Sequence, residues 1–349
     1  MCEKPDLRNM ELPELQQMME HIGEKKFRAE QIYKWIFSGV TDFDDMTNIS
    51  AELRAKLKEN TVITQPELLR VQKSEADGTQ KYLFGFSDGN AVETVFMKYK
   101  YGNSVCVSSQ AGCRMGCRFC ASGIDGLRRN LTAGEIISEV LAAERESGEK
   151  INHVVVMGTG EPFDNYGNVA KFIRLLNSPK GFGLSMRNIT VSTCGLIPGI
   201  EKFARDFPQA NLAISLHAPN DEIRNTMMPV NGSYPMKPLL EACRAYTEKT
   251  SRRITFEYTL VSGKNDTKEA ARELARRLSG MLCHVNLIPL NAVKETGLKG
   301  TDRKNAEAFM KVLESKGIPA TIRRELGSDI DAACGQLRLA ESRKIHPAK

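Results

Sequence analysis

The sequence predicts an α/β fold: a partial (β/α)6 barrel preceded by a helical domain and followed by a carboxyl-terminal extension. Three observations predict it. Beyond Ser104, short β-branched runs alternate with amphipathic helical stretches six times; the first sixty residues show apolar positions at helical spacing; and past Asn291 the alternation gives way to a polar loop before a last helix and strand. Repetition of strand and helix implies right-handed crossovers and a parallel sheet covered on both faces.

Residues 1–60 are the expected helical domain. LPELQQMMEHI, RAEQIYKWIFSGV and SAELRAKLKEN repeat apolar residues at helical intervals. DFDDMTNIS supplies cap-forming residues, and Ser50 stands where the third helix begins. Over 61–100, TQKYLFGF and NAVETVFMKY read as strands with Asp-Gly turns at 77–78 and 88–89, forming a β linker. The barrel occupies 101–291, with strands SVCVSSQ, HVVVMG, NITVSTC, LAISLHA, ITFEYTLV and HVNLIPL. Between them lie helices such as AGEIISEVLAAERE, VAKFIRLLN, GIEKFARDF, KPLLEACRAYTEK and KEAARELARRL. Six units fall short of a closed (β/α)8 barrel. A doubly wound sheet would satisfy the same alternation. The open barrel is favoured because ligand-type residues stand at the carboxyl ends of many different strands, where both architectures bind ligands. The extension, 292–349, holds the loop AVKETGLKGTDRKN, the helix AEAFMKVLESKG, the strand PATIRREL and the segment GSDIDAACGQL.

Of 349 residues, 41% are hydrophobic and 26% charged, which excludes a fibrous or disordered chain. The amino terminus carries no apolar stretch behind basic residues, and no window nears the roughly 18 uninterrupted apolar residues of a membrane span. A cytoplasmic protein without membrane association is expected. There the nine cysteines count as reduced thiols, and an odd, clustered set points to metal or catalysis before disulfides. The net charge of +6 gathers in GLRRNLT, TSRRITF and TIRREL. Such charge attracts polyanions without by itself deciding for nucleic acid.

The chemistry concentrates in QAGCRMGCRFCASG, residues 110–123, where Cys113, Cys117 and Cys120 have C-x3-C-x2-C spacing. Three thiolates are one short of a closed structural zinc site, which would have to recruit Cys106 or another distant cysteine. They suffice for three irons of a [4Fe-4S] cube, each needing one ligand beyond its bridging sulfides, and the fourth iron is then open to a substrate. The open cluster is the favoured reading, with zinc as its rival.

With this loop after the first barrel strand and β/α repeats behind it, the chain resembles the radical S-adenosylmethionine (radical SAM) superfamily. The resemblance sharpens to the RlmN family of RNA adenine-C2 methyltransferases. Ordered matches run along nearly the whole chain: KFRAEQIYKWIF, DFDDMTNIS, CVSSQAGCRMGCRFCASG, GLRRNLTAGEI, GTGEP, ISLHAPND, HVNLIPLN and DIDAACGQL. It implies a [4Fe-4S] cluster on Cys113, Cys117 and Cys120 whose open iron chelates S-adenosylmethionine, with two molecules of that cofactor used per turnover. The first methylates Cys334; the second is cleaved to a 5′-deoxyadenosyl radical that takes hydrogen from the S-methyl group. The resulting methylene radical adds to carbon 2 of adenine, an electron-poor carbon closed to ordinary displacement. The resemblance makes Glu93 the proton acceptor and Cys106 the resolving residue, which forms a transient disulfide with Cys334 that an external electron donor must reset. The implied substrates are adenosines of 23S rRNA and tRNA, unpaired or flipped from the stack.

The same resemblance implies cofactor contacts at Gly160 and Glu161 in GTGEP, Ser192 in TVSTCG, Ser215, Leu216 and His217 in AISLHAP, and Asn291. On their residues alone these positions have plainer readings. A short Gly-x-Gly makes a tight turn, and a lone Ser or His is mostly a satisfied structural group. Glu93 in AVETVFMKY would alternate onto a solvated face, and Cys106 and Cys334 would be small buried hydrophobes. For Cys194, Cys243 and Cys283 packing is the expectation. Basic segments and the amino-terminal helices are expected to grip RNA phosphates, with binding that weakens as salt rises. Two rival functions stay open. One is a Cfr-type enzyme methylating carbon 8 of the same ribosomal adenosine, against which GTGEP and ISLHAPND speak; the other is a non-catalytic metal-containing RNA-binding module, against which the full set of cysteines speaks. No motif fixes the oligomeric state.

Overall fold

The computed structural model describes residues 4–290, 297–324, 326, 327, 329, 330 and 337. Three helices come first: α1 (Leu12–His21), α2 (Phe27–Phe37) and α3 (Ala51–Asn60). Strands β1 (Glu67–Lys73), β2 (Gln80–Gly85), β3 (Ala91–Tyr99) and β4 (Gly102–Val107) follow, and the small hairpin of β5 (Gln110–Gly112) and β6 (Leu127–Asn130) brackets the cysteine loop. Then α4 (Ala133–Ser147), β7 (His153–Val156), α5 (Tyr166–Asn177), β8 (Ile189–Thr193), α6 (Ile197–Asp206) and β9 (Asn211–Ser215) alternate. After α7 (Asp221–Met227) and α8 (Met236–Thr250) come β10 (Ile254–Leu260), α9 (Lys268–Leu278), β11 (Cys283–Pro289), α10 (Arg303–Ser315) and β12 (Ala320–Ile322).

Ten strands join one sheet in the order β1-β2-β3-β4-β7-β8-β9-β10-β11-β12. From β4 onward every pairing is parallel, and the six expected barrel strands stand side by side in chain order. PATIRREL, expected as a strand of the extension, contributes β12 as a further parallel neighbour of β11. The strands expected over 61–100 are bonded antiparallel to the β4 edge of the same sheet, with Val95 opposite Cys106. This is the α/β partial barrel that the alternation predicts.

Local sequence explains the elements. Thr132 opens α4 with a capping box: its hydroxyl accepts from the Glu135 amide while Glu135 accepts from the Thr132 amide at 2.8 Å, satisfying two donors that a helix start leaves over. Ser50 caps α3 in the same manner, accepting from Leu53. The inner stripe of α4, Ile136, Ile137, Val140 and Leu141, is buried in the main core, each side chain contributing about 1.5–3 kcal/mol. The helical front is bolted to α4 through Arg8, whose guanidinium is buried and donates to the carbonyls of Val40 at 2.9 Å and Thr64 at 2.5 Å and to the Ser138 hydroxyl at 3.2 Å. A charge this deep is tolerated because both terminal nitrogens find acceptors, although Nε has none among the described residues.

Candidate active site

A cavity of about 330 Å³ lies where the carboxyl ends of the parallel strands meet the cysteine loop. Cys113, Cys117 and Cys120 line it together with Cys106 from β4, Gly160 and Glu161 from the loop after β7, Ser192 from β8, Ser215 from β9, and His217 just beyond. Residues far apart in the chain are thus brought together around one cavity. Leu216 is the exception: its side chain is fully buried in the main core and does not line the cavity, and its backbone amide and carbonyl are bonded to Glu257 O and Arg224 Nε. Glu93 is buried on β3 beside this region rather than lining the cavity. Two further positions named from sequence, Asn291 and Cys334, lie outside the described residues.

The cysteine loop is held at several points. The Cys113 amide donates to Gly126 O at 3.0 Å, Arg118 N to Met227 O at 2.9 Å, and Cys120 N to Cys117 O at 3.1 Å. Gly112 has φ +82°, and a Cβ there would stand 2.0 Å from Gly126 O, so the loop closes only on glycine. Arg114 pairs with Asp164, which also accepts from Gln110 Nε2 at 2.9 Å, tying the loop to the segment after β7. Burial pushes the Cys113 thiol up to about 12 and the Cys117 thiol higher still. Such thiols are neutral until a metal displaces their protons.

The loop fits an iron–sulfur cluster better than zinc. Cys113, Cys117 and Cys120 line one cavity, and no fourth thiol from the loop closes the set. Thiols spread around one cavity suit a cluster, in which each thiolate serves a different iron. Ser122 Oγ, on the same loop and lining the cavity, is buried with no hydrogen-bond partner among the described residues. A buried polar atom of this kind is one that a bound group would satisfy.

GTGEP folds as it does for steric reasons. Gly160 has φ +114°, and a Cβ would meet the Gln110 side chain and Ser109 Oγ at 2.7 Å. The Glu161 amide donates to Gln110 Oε1 at 2.8 Å. Its carboxylate accepts from two backbone amides, Phe163 at 3.0 Å and Cys194 at 2.7 Å. Burial raises the Glu161 carboxyl, and the amides of Cys194 and Phe163 oppose that shift.

Ser192 Oγ and Ser215 Oγ stand 3.5 Å apart across neighbouring strands. His217 has φ +56°, and its Nδ1 accepts from the Thr259 amide at 2.9 Å, which leaves the ring proton on Nε2 in the neutral form. Burial, helped by the nearby Arg224 charge, lowers its pKa to about 3, and the ring packs edge-on against Phe119 of the cysteine loop at 4.8 Å.

Several residues here were not singled out from sequence. Arg224 is fully buried and donates to the carbonyls of Cys194 at 2.6 Å, Leu216 at 3.2 Å and Tyr234 at 3.2 Å and to Asn231 Oδ1 at 2.7 Å, pinning the segments after β8 and β9. Glu257 on β10 faces the cavity and accepts from Asn286 Nδ2 at 2.9 Å; burial raises its carboxyl, with Arg323 opposing. Lys81 on β2, fully buried, holds its ammonium 3.0 Å from Glu93 Oε2. Of the cysteines expected to pack, Cys243 and Cys283 sit in the main core, whereas Cys194 joins a small apolar cluster that also lines the cavity.

Comparison with known proteins agrees with this geometry. Residues 5–63 match the ribosomal RNA large subunit methyltransferase N-terminal domain, and residues 107–278 match the radical SAM superfamily. A protein of Clostridium perfringens (strain SM101 / Type A), described as a probable dual-specificity RNA methyltransferase RlmN, is 55% identical over 328 residues, covering 94% of each chain. A protein of the same description from Thermoanaerobacter sp. (strain X514) is 52% identical over 334 residues, covering 95% of this chain and 97% of its own. The crystal structure of a radical SAM methyltransferase from Sphaerobacter thermophilus superposes with a TM-score of 0.92 at 44% identity, over 95% of this chain and 98% of that one. With its barrel, its three-cysteine loop and relatives matched from end to end, the chain belongs to the RlmN family of radical SAM methyltransferases.

Proposed function

We propose that this protein methylates carbon 2 of adenosine in 23S rRNA and tRNA, using a [4Fe-4S] cluster and S-adenosylmethionine. The observation that carries the reading is the convergence on one cavity of the three cluster-type cysteines and Cys106, in a chain whose relatives are described as probable dual-specificity RNA methyltransferases. Cluster and cofactor together supply, when bound, the one-electron chemistry that an electron-poor aromatic carbon requires. Cys113, Cys117 and Cys120 hold the cluster. Gly160, Glu161, Ser192, Ser215, His217, the backbone of Leu216, and Asn291 hold the cofactor.

In this reading Glu161 keeps its loop in shape through the two amides that it accepts from and so fixes where the Gly160 backbone meets the cofactor. The neutral His217 ring offers its Nε2–H to an acceptor in the cavity without adding positive charge. Glu93 takes up the proton released when aromaticity returns, and Lys81 beside it supplies the countercharge that a buried carboxylate requires. Cys334 carries the methyl group; the Cys106 thiolate attacks the Cys334 sulfur, the carbon–sulfur bond breaks with its electron pair passing to the product carbon, which takes up a proton, and an external reductant reopens the disulfide left behind. The helical front, 1–60, grips RNA, and the extension, 292–349, presents Cys334. The reaction belongs to the cytoplasm, where its RNA substrates and reductant are found.

The test is an oxygen-free assay of reconstituted protein with reductant, S-adenosylmethionine and unmethylated RNA, followed by mass spectrometry of the digested product. The expected product is 2-methyladenosine. An 8-methyladenosine product would transfer the enzyme to the Cfr type, and zinc in place of iron without any methylated nucleoside would leave only RNA binding.

A further inference from the structure

The turn between β1 and β2 holds the carboxyl-terminal segment through three hydrogen bonds that the proposed cofactor and proton-transfer roles leave unused. Asp329 accepts from the Ser74 hydroxyl at 2.6 Å and from the Glu75 amide at 2.9 Å, while Asp77 accepts from the Gly327 amide at 2.8 Å. The grip is reciprocal, each side contributing one carboxylate that receives donors from the other. Carboxylate acceptors make such bonds stronger than neutral ones.

The turn is built to receive. Ser74 Oγ also accepts from the amides of Ala76 at 3.2 Å and Asp77 at 3.3 Å, and Asp77 Oδ1 accepts from the Thr79 amide at 2.9 Å, so the groups facing the tail are fixed by the turn itself. Thr79 on the turn side and Leu326 on the tail side both line the central cavity, which puts the contact at its rim.

Cys334 follows Asp329 by five positions. Five residues of chain span at most about 18 Å, so anchoring Asp329 limits how far that thiol can range from the rim. Cys106 lines the same cavity.

We propose that the β1–β2 turn is a dock for the methyl-carrier segment, with Asp77 and Asp329 as its positioning residues. Docking shortens the effective tether of Cys334 and raises its local concentration at the cavity, as any short linker does for the group it carries. This rests on the carrier role proposed above for Cys334.

The experiment uses the reduced full-length protein and its Asp329→Ala and Asp329→Asn variants. Oxidised glutathione accepts the two electrons and two protons given up as Cys106 and Cys334 join, and the disulfide is followed by peptide mass spectrometry. Asp329→Ala is expected to slow joining about tenfold, the loss of two hydrogen bonds to a carboxylate, and to speed hydrogen exchange at the Glu75 amide. Asp329→Asn, which keeps an acceptor oxygen, recovers most of the rate, and the thermal midpoint of both variants matches the parent. An unchanged joining rate in Asp329→Ala overturns the dock, whatever the exchange. Full methylation by a Cys334→Ala variant overturns the carrier reading instead, and the dock with it.

Discussion

Glu161, on the loop after β7, and Glu93, inside the antiparallel strands, are equally hidden, at 3% exposure each, yet they are held by different means. Glu161 is gripped by main-chain amides of Phe163 and Cys194, dipoles fixed by the fold. Glu93 faces the ammonium of Lys81, a full charge on a long side chain that is itself completely buried. The first arrangement makes a carboxylate part of the scaffold, because losing it frees two backbone donors in a dry place. The second leaves the scaffold to its own strand pairing and, in the proposed reaction, places charge where a proton is to be received. On that reading the parallel half of the sheet is shaped for holding, and the antiparallel half for transfer.

The largest effect should come from splitting the ion pair. Lys81→Met leaves Glu93 buried without its ammonium and should cost about 3–5 kcal/mol in urea unfolding, with methylation lost. The double variant Lys81→Met/Glu93→Leu should return to within about 1–2 kcal/mol of the parent while staying inactive, since an apolar pair replaces a buried ionic one at little net cost. A double variant as unstable as the single one would mean that Lys81 matters for packing and not for charge. Next in size, Glu161→Gln turns an amide NH2 against one of the two backbone donors and should cost about 2 kcal/mol. Its signature is faster exchange at the Cys194 or Phe163 amide; unchanged exchange there would dissolve the contrast between the two carboxylates.

The smallest effect concerns His217, the neutral member of the site. Its folded pKa lies near 3 against an ordinary 6.5, so the unfolded chain takes up the proton first. The stability this contributes is complete above the ordinary value and is lost as pH falls from about 6.5 toward 3. Between pH 7.5 and 5.5 the parent should therefore lose about 1.4 kcal/mol more than a His217→Gln variant, read from paired urea melts. Equal losses would place the ring in water.

Much of this arrangement was legible beforehand, and the exceptions have a common cause. The six parallel strands announce themselves as β-branched runs because both faces of such a sheet are buried, and the cysteine spacing is rigid enough to be read without a fold. Lys81 could not be read in this way. In TQKYLFGF a lysine gives no sign of burial, yet β2 is an inner strand of the ten-stranded sheet and is buried on both sides from Lys81 to Gly85. Glu139 is hidden in the same manner: nothing in AGEIISEVLAAERE marks it, yet it is fully buried, accepting from Thr94 Oγ1 at 2.6 Å and the Ser108 amide at 3.0 Å. Arg224 sits among polar residues in APNDEIRNTMM, and only the return of the chain around it supplies four acceptors. Periodicity reports which face a neighbour covers; it does not report a charge whose partner arrives from a distant strand.

The Arg8 bolt gives the molecule a mechanical property. Its guanidinium clasps the Val40 carbonyl between α2 and α3, the Thr64 carbonyl ahead of β1 and a hydroxyl of α4, and so ties the front to the barrel. In the proposed role of the front as an RNA grip, a stem resting on those helices would meet the cavity at an offset that this clasp helps to set, and the distance from handhold to target base would be measured by the protein like a gauge block.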